Sequence, residues 1–131
     1  MIVVDASALL ELLLQTALGV RVESRLFRDG DELHVPHLVD VEIVQGLRRL
    51  VRTGEVSPRR ASEAIADVND FDLHRHPHAD FLSRAWKLRD NISAYDAMYV
   101  ALAEAADARV VTCDSRLAKA PGHSARIEVV T

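Results

Sequence analysis

The sequence predicts an α/β protein, a three-layer α/β/α sandwich around a short and mainly parallel sheet. Short β-branched or alternating runs recur along the chain, and stretches with helical periodicity separate them. Parallel strands need crossovers of helical length, so this alternation is typical of a sheet with helices on both faces.

In the first half of the chain, two short strands each run into helices. The β-branched run over 2–4 predicts a strand, and the leucine-rich stretch over 6–14 suits a helix directly after it. A second helix over 19–28 closes at Asp-Gly, before a strand over 33–36 that ends in proline. Apolar residues at helical spacing then predict a helix over 38–52.

The second half repeats the pattern. Ser57 and Pro58 supply an N-cap and an N1 proline for a helix reaching about Asn69. The later predicted elements are a strand over 71–76, a helix over 78–89, the most apolar helix over 93–107, a strand over 109–112, a turn or short helix over 114–119 and a closing strand over 127–130.

Composition limits the kind of protein this can be. With 131 residues, 49% of them hydrophobic, the chain suits one folded domain over 1–131. The single cysteine, Cys113, excludes an internal disulfide and a thiolate metal cluster, so we expect a cytoplasmic protein. Asp5 and Glu11 interrupt the apolar start, and no apolar stretch approaches the roughly 20 residues of a membrane helix.

The charge balance limits how the protein can bind nucleic acid. The formal net charge is -4, which argues against binding nucleic acid over the whole surface by counterion release. An enzyme that acts on nucleic acid would therefore need local basic patches and bound cations.

Two aspartates follow β-branched strands directly. Asp5 comes after the strand over 2–4, and Asp114 comes just after the strand over 109–112. Ligands collect at the carboxyl ends of parallel strands, where two carboxylates would repel each other unless a cation lay between them. Each aspartate is equally suited to be the N-cap of the element that follows.

Further candidate acids lie on two of the predicted helices. Asp96 lies in a nearly all-apolar helix, where an ionised side chain needs a partner, but its spacing from Ser93 also fits a capping box. Periodicity in the helix over 38–52 favours Asp40 over Glu42, because Asp40 is nearer the apolar stripe.

Taken together, the residues resemble the PIN-domain ribonucleases and, among them, the VapC-type toxins. The resemblance covers essentially the whole chain and rests on the order and spacing of several short motifs. These are Val3-Val4-Asp5-Ala6-Ser7-Ala8, Glu42-x-x-x-Gly46-x-x-Arg49, Tyr95-Asp96-Ala97-x-Tyr99-x-Ala101-Leu102-Ala103 and Thr112-x-Asp114-x-x-Leu117.

The resemblance selects Glu42 over Asp40 and implies that four acids meet in one pocket that binds Mg²⁺ or Mn²⁺. These acids are Asp5, Glu42, Asp96 and Asp114. It implies an endoribonuclease that leaves a 5′-phosphate and a 3′-hydroxyl, forms a homodimer and is neutralised by a VapB-type antitoxin, through which alone it would meet DNA. Ser7 and Thr112 match hydroxyl positions that support a ligand, and Arg49, Arg116 and Lys119 are candidate phosphate contacts.

The residues leave three other interpretations open. His74, His76 and His78 alternate as the ligands of a transition metal do, although strand-end histidines without such a role are common. An aspartyl-phosphate phosphatase or phosphoacceptor also places an aspartate after the first strand, but the second aspartate expected two residues later is absent here. A catalytically inactive interaction module of the same fold is the third.

Overall fold

The computed structural model describes residues 1–131, which form a central five-stranded parallel sheet flanked by seven α-helices. The strands are β1 (Ile2–Val4), β2 (Leu33–Pro36), β3 (Leu73–His76), β4 (Arg109–Thr112) and β5 (Arg126–Val129). The helices are α1 (Ala6–Leu14), α2 (Ala17–Phe27), α3 (Leu38–Arg52), α4 (Pro58–Asp70), α5 (Leu82–Lys87), α6 (Ala94–Ala106) and α7 (Ser115–Lys119), with a 3₁₀ turn at Ala79–Phe81.

The order of the strands places β1 at the centre of the sheet. The sheet runs β3-β2-β1-β4-β5, and every pair is parallel. From β1 the chain first builds outward to β2 and β3, and later returns to add β4 and β5 on the other side. The strand order therefore reverses beside β1, at the kind of switch point where open α/β sheets bind their ligands.

The core forms around β1 and α6. All three residues of β1 are buried, and so is the whole stretch from Ala97 to Ala103 in α6. A helix buried on every side has no polar face, which explains why this segment is the most apolar of the chain. The predicted α/β class and the parallel sheet are confirmed. None of the helices combines the length and apolar character that crossing a membrane would require.

The second helix starts earlier than its predicted range over 19–28. It begins at Ala17, because the Thr16 hydroxyl caps it by accepting a hydrogen bond from the Gly19 amide at 2.9 Å. Gly19 lies in the first turn, where a Cβ atom would come within 2.0 Å of the Glu11 carbonyl oxygen. Glycine is therefore needed there for close packing of α2 on α1.

The predicted helix over 78–89 is wrong in detail. The chain forms the 3₁₀ turn and then the short α5, because Phe81, with φ -107° and ψ -2°, departs from helical geometry between them. His78, just before the turn, contacts another helix. Its Nε2 accepts a hydrogen bond from the Leu38 amide at 2.9 Å, at the beginning of α3, where the N-cap residue His37 offers no capping side chain. The closing strand is also shifted, to Arg126–Val129 from the predicted 127–130.

Candidate active site

Asp5 follows β1 directly and is only 7% exposed. Its Oδ1 accepts hydrogen bonds from the Ser7 hydroxyl at 2.7 Å and the Ala8 amide at 3.0 Å, and its Oδ2 accepts one from the Thr112 hydroxyl. Asp5 is thus the N-cap of α1 and is fixed at the end of the sheet at the same time. Burial raises the pKa of its carboxyl, and the three hydrogen bonds oppose that shift.

Ser7 and Thr112 join the ends of β1 and β4. The Ser7 hydroxyl accepts a hydrogen bond from the Cys113 amide at 3.0 Å, and the Thr112 hydroxyl accepts one from the Asp114 amide at 2.9 Å. Both hydroxyls donate to the Asp5 carboxylate. The two hydroxyls therefore hold the Asp5 carboxylate and bond to the backbone at the same time.

Glu42 lies on α3, half-buried, and its Oε1 accepts a hydrogen bond from the Tyr99 hydroxyl at 2.6 Å. Burial raises the pKa of Glu42, and this hydrogen bond opposes the shift. Asp40, which periodicity favoured, points elsewhere: its two carboxylate oxygens receive the Arg75 guanidinium, each at 2.9 Å. The structure thus separates the two acids of α3, placing Asp40 in an ion pair and Glu42 against α6.

Sequence reasoning missed the role of Tyr99. The residue is 2% exposed, so its hydroxyl needs a partner inside the protein, and Glu42 supplies it. Burial and the neighbouring Glu42 raise the pKa of Tyr99 far above its usual value, which keeps the hydroxyl protonated as a donor. Its spacing of three residues from Asp96 on a helix was a usable signal, because such residues share a face.

Asp96 occupies the first turn of α6, where the Ser93 hydroxyl accepts a hydrogen bond from its amide at 3.1 Å. The expected N-cap at Ser93 is therefore present. The Asp96 carboxyl is half-buried, and burial followed by the negative charge of Asp114 raises its pKa, against opposing effects of Ser93 and Arg116. Asp96 thus has a capped backbone and a side chain whose charge is not fully compensated.

Asp114 caps α7 by accepting a hydrogen bond from the Arg116 amide at 2.9 Å. The Arg116 guanidinium also donates to both carboxylate oxygens, at 3.2 and 3.1 Å. This ion pair lowers the pKa of Asp114. Since the Arg116 side chain is 90% exposed, it is free to leave the carboxylate at little cost in packing.

The four acids influence one another through their charges. Asp96 raises the pKa values of Asp5 and Glu42, and Asp114 raises that of Asp96. No three of the carboxylates have oxygens that all lie within 4.8 Å of one another. The structure therefore gathers the acids near the carboxyl ends of the strands, but their oxygens do not converge on one point. An all-oxygen donor set whose charges repel fits a hard divalent cation.

The three basic candidates are divided between two clefts beside these acids. Arg49 lines a cleft of about 470 Å³ together with Ser7, Glu42 and Tyr95. Arg116 and Lys119 line a second cleft, of about 520 Å³, which also contains Asp96 and Asp114. Each of the two clefts therefore contains basic side chains together with at least one of the four acids, although the net charge of the whole protein is -4.

Comparisons with known proteins show the family of this chain. The model of the PIN-domain family matches residues 2–123. Ribonuclease VapC9 of Mycobacterium tuberculosis is 44% identical over 117 residues, which are 89% of this chain and 88% of the relative. Ribonuclease VapC12 of the same species is 38% identical over 130 residues, 99% of each protein.

A solved structure shares the fold at much lower sequence identity. The crystal structure of VapBC2 from Rickettsia felis, bound to a DNA fragment from their promoter, superimposes with a TM-score of 0.70. The sequences are 14% identical, and the alignment covers 98% of both chains.

Replacing Asp96 with asparagine is expected to raise the melting temperature by a few degrees at neutral pH in the absence of divalent ions. The helix N-terminus favours a negative charge by up to about 1 kcal/mol. Asp96 is, however, half-buried and faces the charge of Asp114, both of which raise its pKa, and we expect these two effects to be the larger. A raised carboxyl pKa makes the ionised folded state costly, so the gain should be full at neutral pH and vanish below the usual carboxyl range.

Thermal unfolding of Asp96→Asn against the parent, from acid to neutral pH, measures this effect. Asp90→Asn, at an exposed site, is the control and should melt like the parent. A melting temperature at neutral pH that falls on Asp96→Asn substitution would contradict the proposed repulsion.

Proposed function

We propose, from the premise that this chain belongs to the PIN-domain family and within it to the VapC ribonucleases, that it is a divalent-metal-dependent endoribonuclease acting as a toxin. The proposal takes residues 1–131 as one PIN domain. The observation that carries it is the placement of the carboxylates: Asp5 is 7% exposed and held by three hydrogen-bond donors at the end of β1, and Glu42 and Asp96 lie close enough for their charges to interact with it. Burial is the main cause of the raised pKa values of these three acids, and their mutual repulsion adds to it. A bound cation would stabilise the ionised carboxylates against both effects.

Asp5, Glu42, Asp96 and Asp114 are the proposed metal ligands and catalytic residues. Since PIN nucleases generally depend on divalent metals and the donors here are carboxylates, we assign Mg²⁺ or Mn²⁺. Such an ion would supply an activated water for attack on a phosphodiester and would neutralise charge on the phosphate in the transition state.

The protein's own residues hold the ligands in place. Asp5 is oriented by three donors, so little conformational freedom remains to be lost when it binds an ion. Tyr99 holds one oxygen of Glu42 and leaves the other available. Asp114 would hold the ion with the oxygens that now receive the Arg116 guanidinium, and Arg116, freed from this pair, would be available to donate to an RNA phosphate.

The first test is RNA cleavage by the purified protein in Mg²⁺ or Mn²⁺. Asp5→Asn, Glu42→Gln, Asp96→Asn and Asp114→Asn should each reduce the rate by on the order of a hundredfold or more, and a chelator should abolish cleavage. Asp40→Asn is the matched control, because this acid lies on the same helix as Glu42 but pairs with Arg75, and it should retain activity. Undiminished cleavage by any two of the four variants would contradict the assignment of these acids as metal ligands and catalytic residues.

A second test separates the two roles of Arg116. Removing its positive charge from Asp114 in Arg116→Ala should tighten Mn²⁺ binding several-fold, because the ion no longer competes with the guanidinium. Cleavage of RNA at saturating metal should nevertheless fall about tenfold, because a phosphate contact is lost. Arg59→Ala, at an exposed position on α4, is the control. Weaker Mn²⁺ binding by Arg116→Ala would contradict this role.

We also propose a VapB-type antitoxin as partner, which would bring the complex to DNA, and a homodimeric toxin. The structural neighbour from Rickettsia felis is a VapBC2 complex on promoter DNA, which supports such an arrangement. The leucine-rich start of α1 is mostly core, but Leu10 lines the cleft beside Val41 and Tyr95, which are 67% and 62% exposed. This apolar surface next to the acids suits an antitoxin segment that blocks the site.

Co-expression with the protein encoded beside this chain's gene tests the partner. The two should co-purify without ribonuclease activity, and Val41→Glu should weaken the complex at least about tenfold, because a charge enters an apolar contact. Ile65→Glu on α4 should leave it unchanged. Sedimentation of the free toxin should give a dimer mass. If the antitoxin bound Val41→Glu and Ile65→Glu with equal affinity, it would have to bind another surface of the toxin.

A further inference from the structure

Five of the protein's six histidines lie on β2 and β3 or within two residues after them: His34, His37, His74, His76 and His78. The alternation of His74 and His76 on β3 was visible in the sequence. The structure adds the neighbouring strand, because the register places His34 of β2 directly opposite His74. The cluster is separate from the four acids of the proposed active site.

The donor atoms of Glu32, His34 and His74 all lie within 4.8 Å of one another. His34 is 7% exposed, and its Nε2 is 3.2 Å from Glu32 Oε2. Two ligands on one tetrahedral zinc ion, with bonds of about 2.0–2.2 Å, are separated by about 3.3–3.6 Å. The distance between Glu32 and His34 is therefore only slightly shorter than such an ion requires.

The other nitrogen of His34 is held as it is in many metal sites. His34 Nδ1 lies 2.8 Å from His76 Nε2, so one of the two rings donates to the other. If His34 Nδ1–H donates to His76, then His34 Nε2 presents a lone pair toward the carboxylate of Glu32. Two facing acceptors at this distance need a cation between them, and a ligand histidine whose second nitrogen donates a hydrogen bond is the usual arrangement.

We propose that Glu32, His34 and His74 form a binding site for a divalent transition-metal ion, with zinc as the best match. Two imidazoles and one carboxylate suit zinc and poorly suit Mg²⁺, so this site and the four acids would select different ions. Without metal, the Nε2–H of His34 donates to Glu32 and the Nε2–H of His76 donates to His34. On binding, both neutral rings move their proton to Nδ1, and no net proton is released.

His74 is the ligand that must adjust. Its ring stacks on His34, with 4.7 Å between the centroids and 17° between the planes, whereas an imidazole binds a metal in its own plane. The side chain is exposed on an edge strand, so turning it disturbs little packing. The bound ion would then tie β3 to β2 and stabilise this edge of the sheet.

Titration of the full-length protein with Zn²⁺ in the presence of millimolar Mg²⁺ tests the site, with Co²⁺ absorption reporting the coordination. We expect one zinc equivalent, and a melting temperature raised on the order of 5–10 °C at a hundredfold excess over Kd. His74→Ala and Glu32→Gln should each weaken zinc binding at least about tenfold, as both residues are exposed and should fold normally. His37→Ala, a nearby exposed histidine outside the triad, should bind like the parent.

Asp96→Asn distinguishes this site from the carboxylate site. It should retain the zinc equivalent, even though it is expected to lose ribonuclease activity. The proposal is overturned if His74→Ala and Glu32→Gln bind zinc as the parent does, or if Asp96→Asn alone removes the equivalent.

Discussion

The parallel pairing of β1 with β4 is the interaction on which the rest of the site depends. Val4 pairs with Val111, and the Asp5 amide extends the ladder by donating to the Val111 carbonyl at 3.1 Å. This register brings the Thr112 hydroxyl to the Asp5 carboxylate. A slip of one residue would turn Thr112 to the other face of the sheet, so the buried strands that fix the register also fix the position of the first acid.

Helix capping does not exclude a ligand role for Asp5 and Asp114. Both residues are N-caps, and both follow a strand of the sheet. The proposed metal site would use carboxylates that also cap helices, so the two interpretations that the sequence left open are compatible. What separates the two aspartates is their charge environment, because Asp5 is held by neutral donors and Asp114 by the Arg116 guanidinium.

Most of the fold was predictable, because strands and helix ends leave local signals, and the same signals located Asp5, Asp96 and Asp114 at strand and helix ends. Glu42 had no such signal, since periodicity reports burial along one helix and cannot show that Arg75 pairs with Asp40 while Tyr99 donates to Glu42. His34 was missed for a similar reason: its partners lie across a strand pair, and register is not visible in one strand. The helix over 78–89 is shorter than predicted because Phe81 departs from helical geometry before α5.

The two proposed metal sites differ in how their side chains are compensated when no metal is bound. At the carboxyl ends of the strands, Arg116 compensates the charge of Asp114, while burial raises the pKa values of Asp5, Glu42 and Asp96. The proposed cation would supply positive charge to these three acids. At the edge formed by β2 and β3, hydrogen bonds already join His34 to His76 and to Glu32. The proposed zinc ion would therefore add chiefly a cross-link between the two strands.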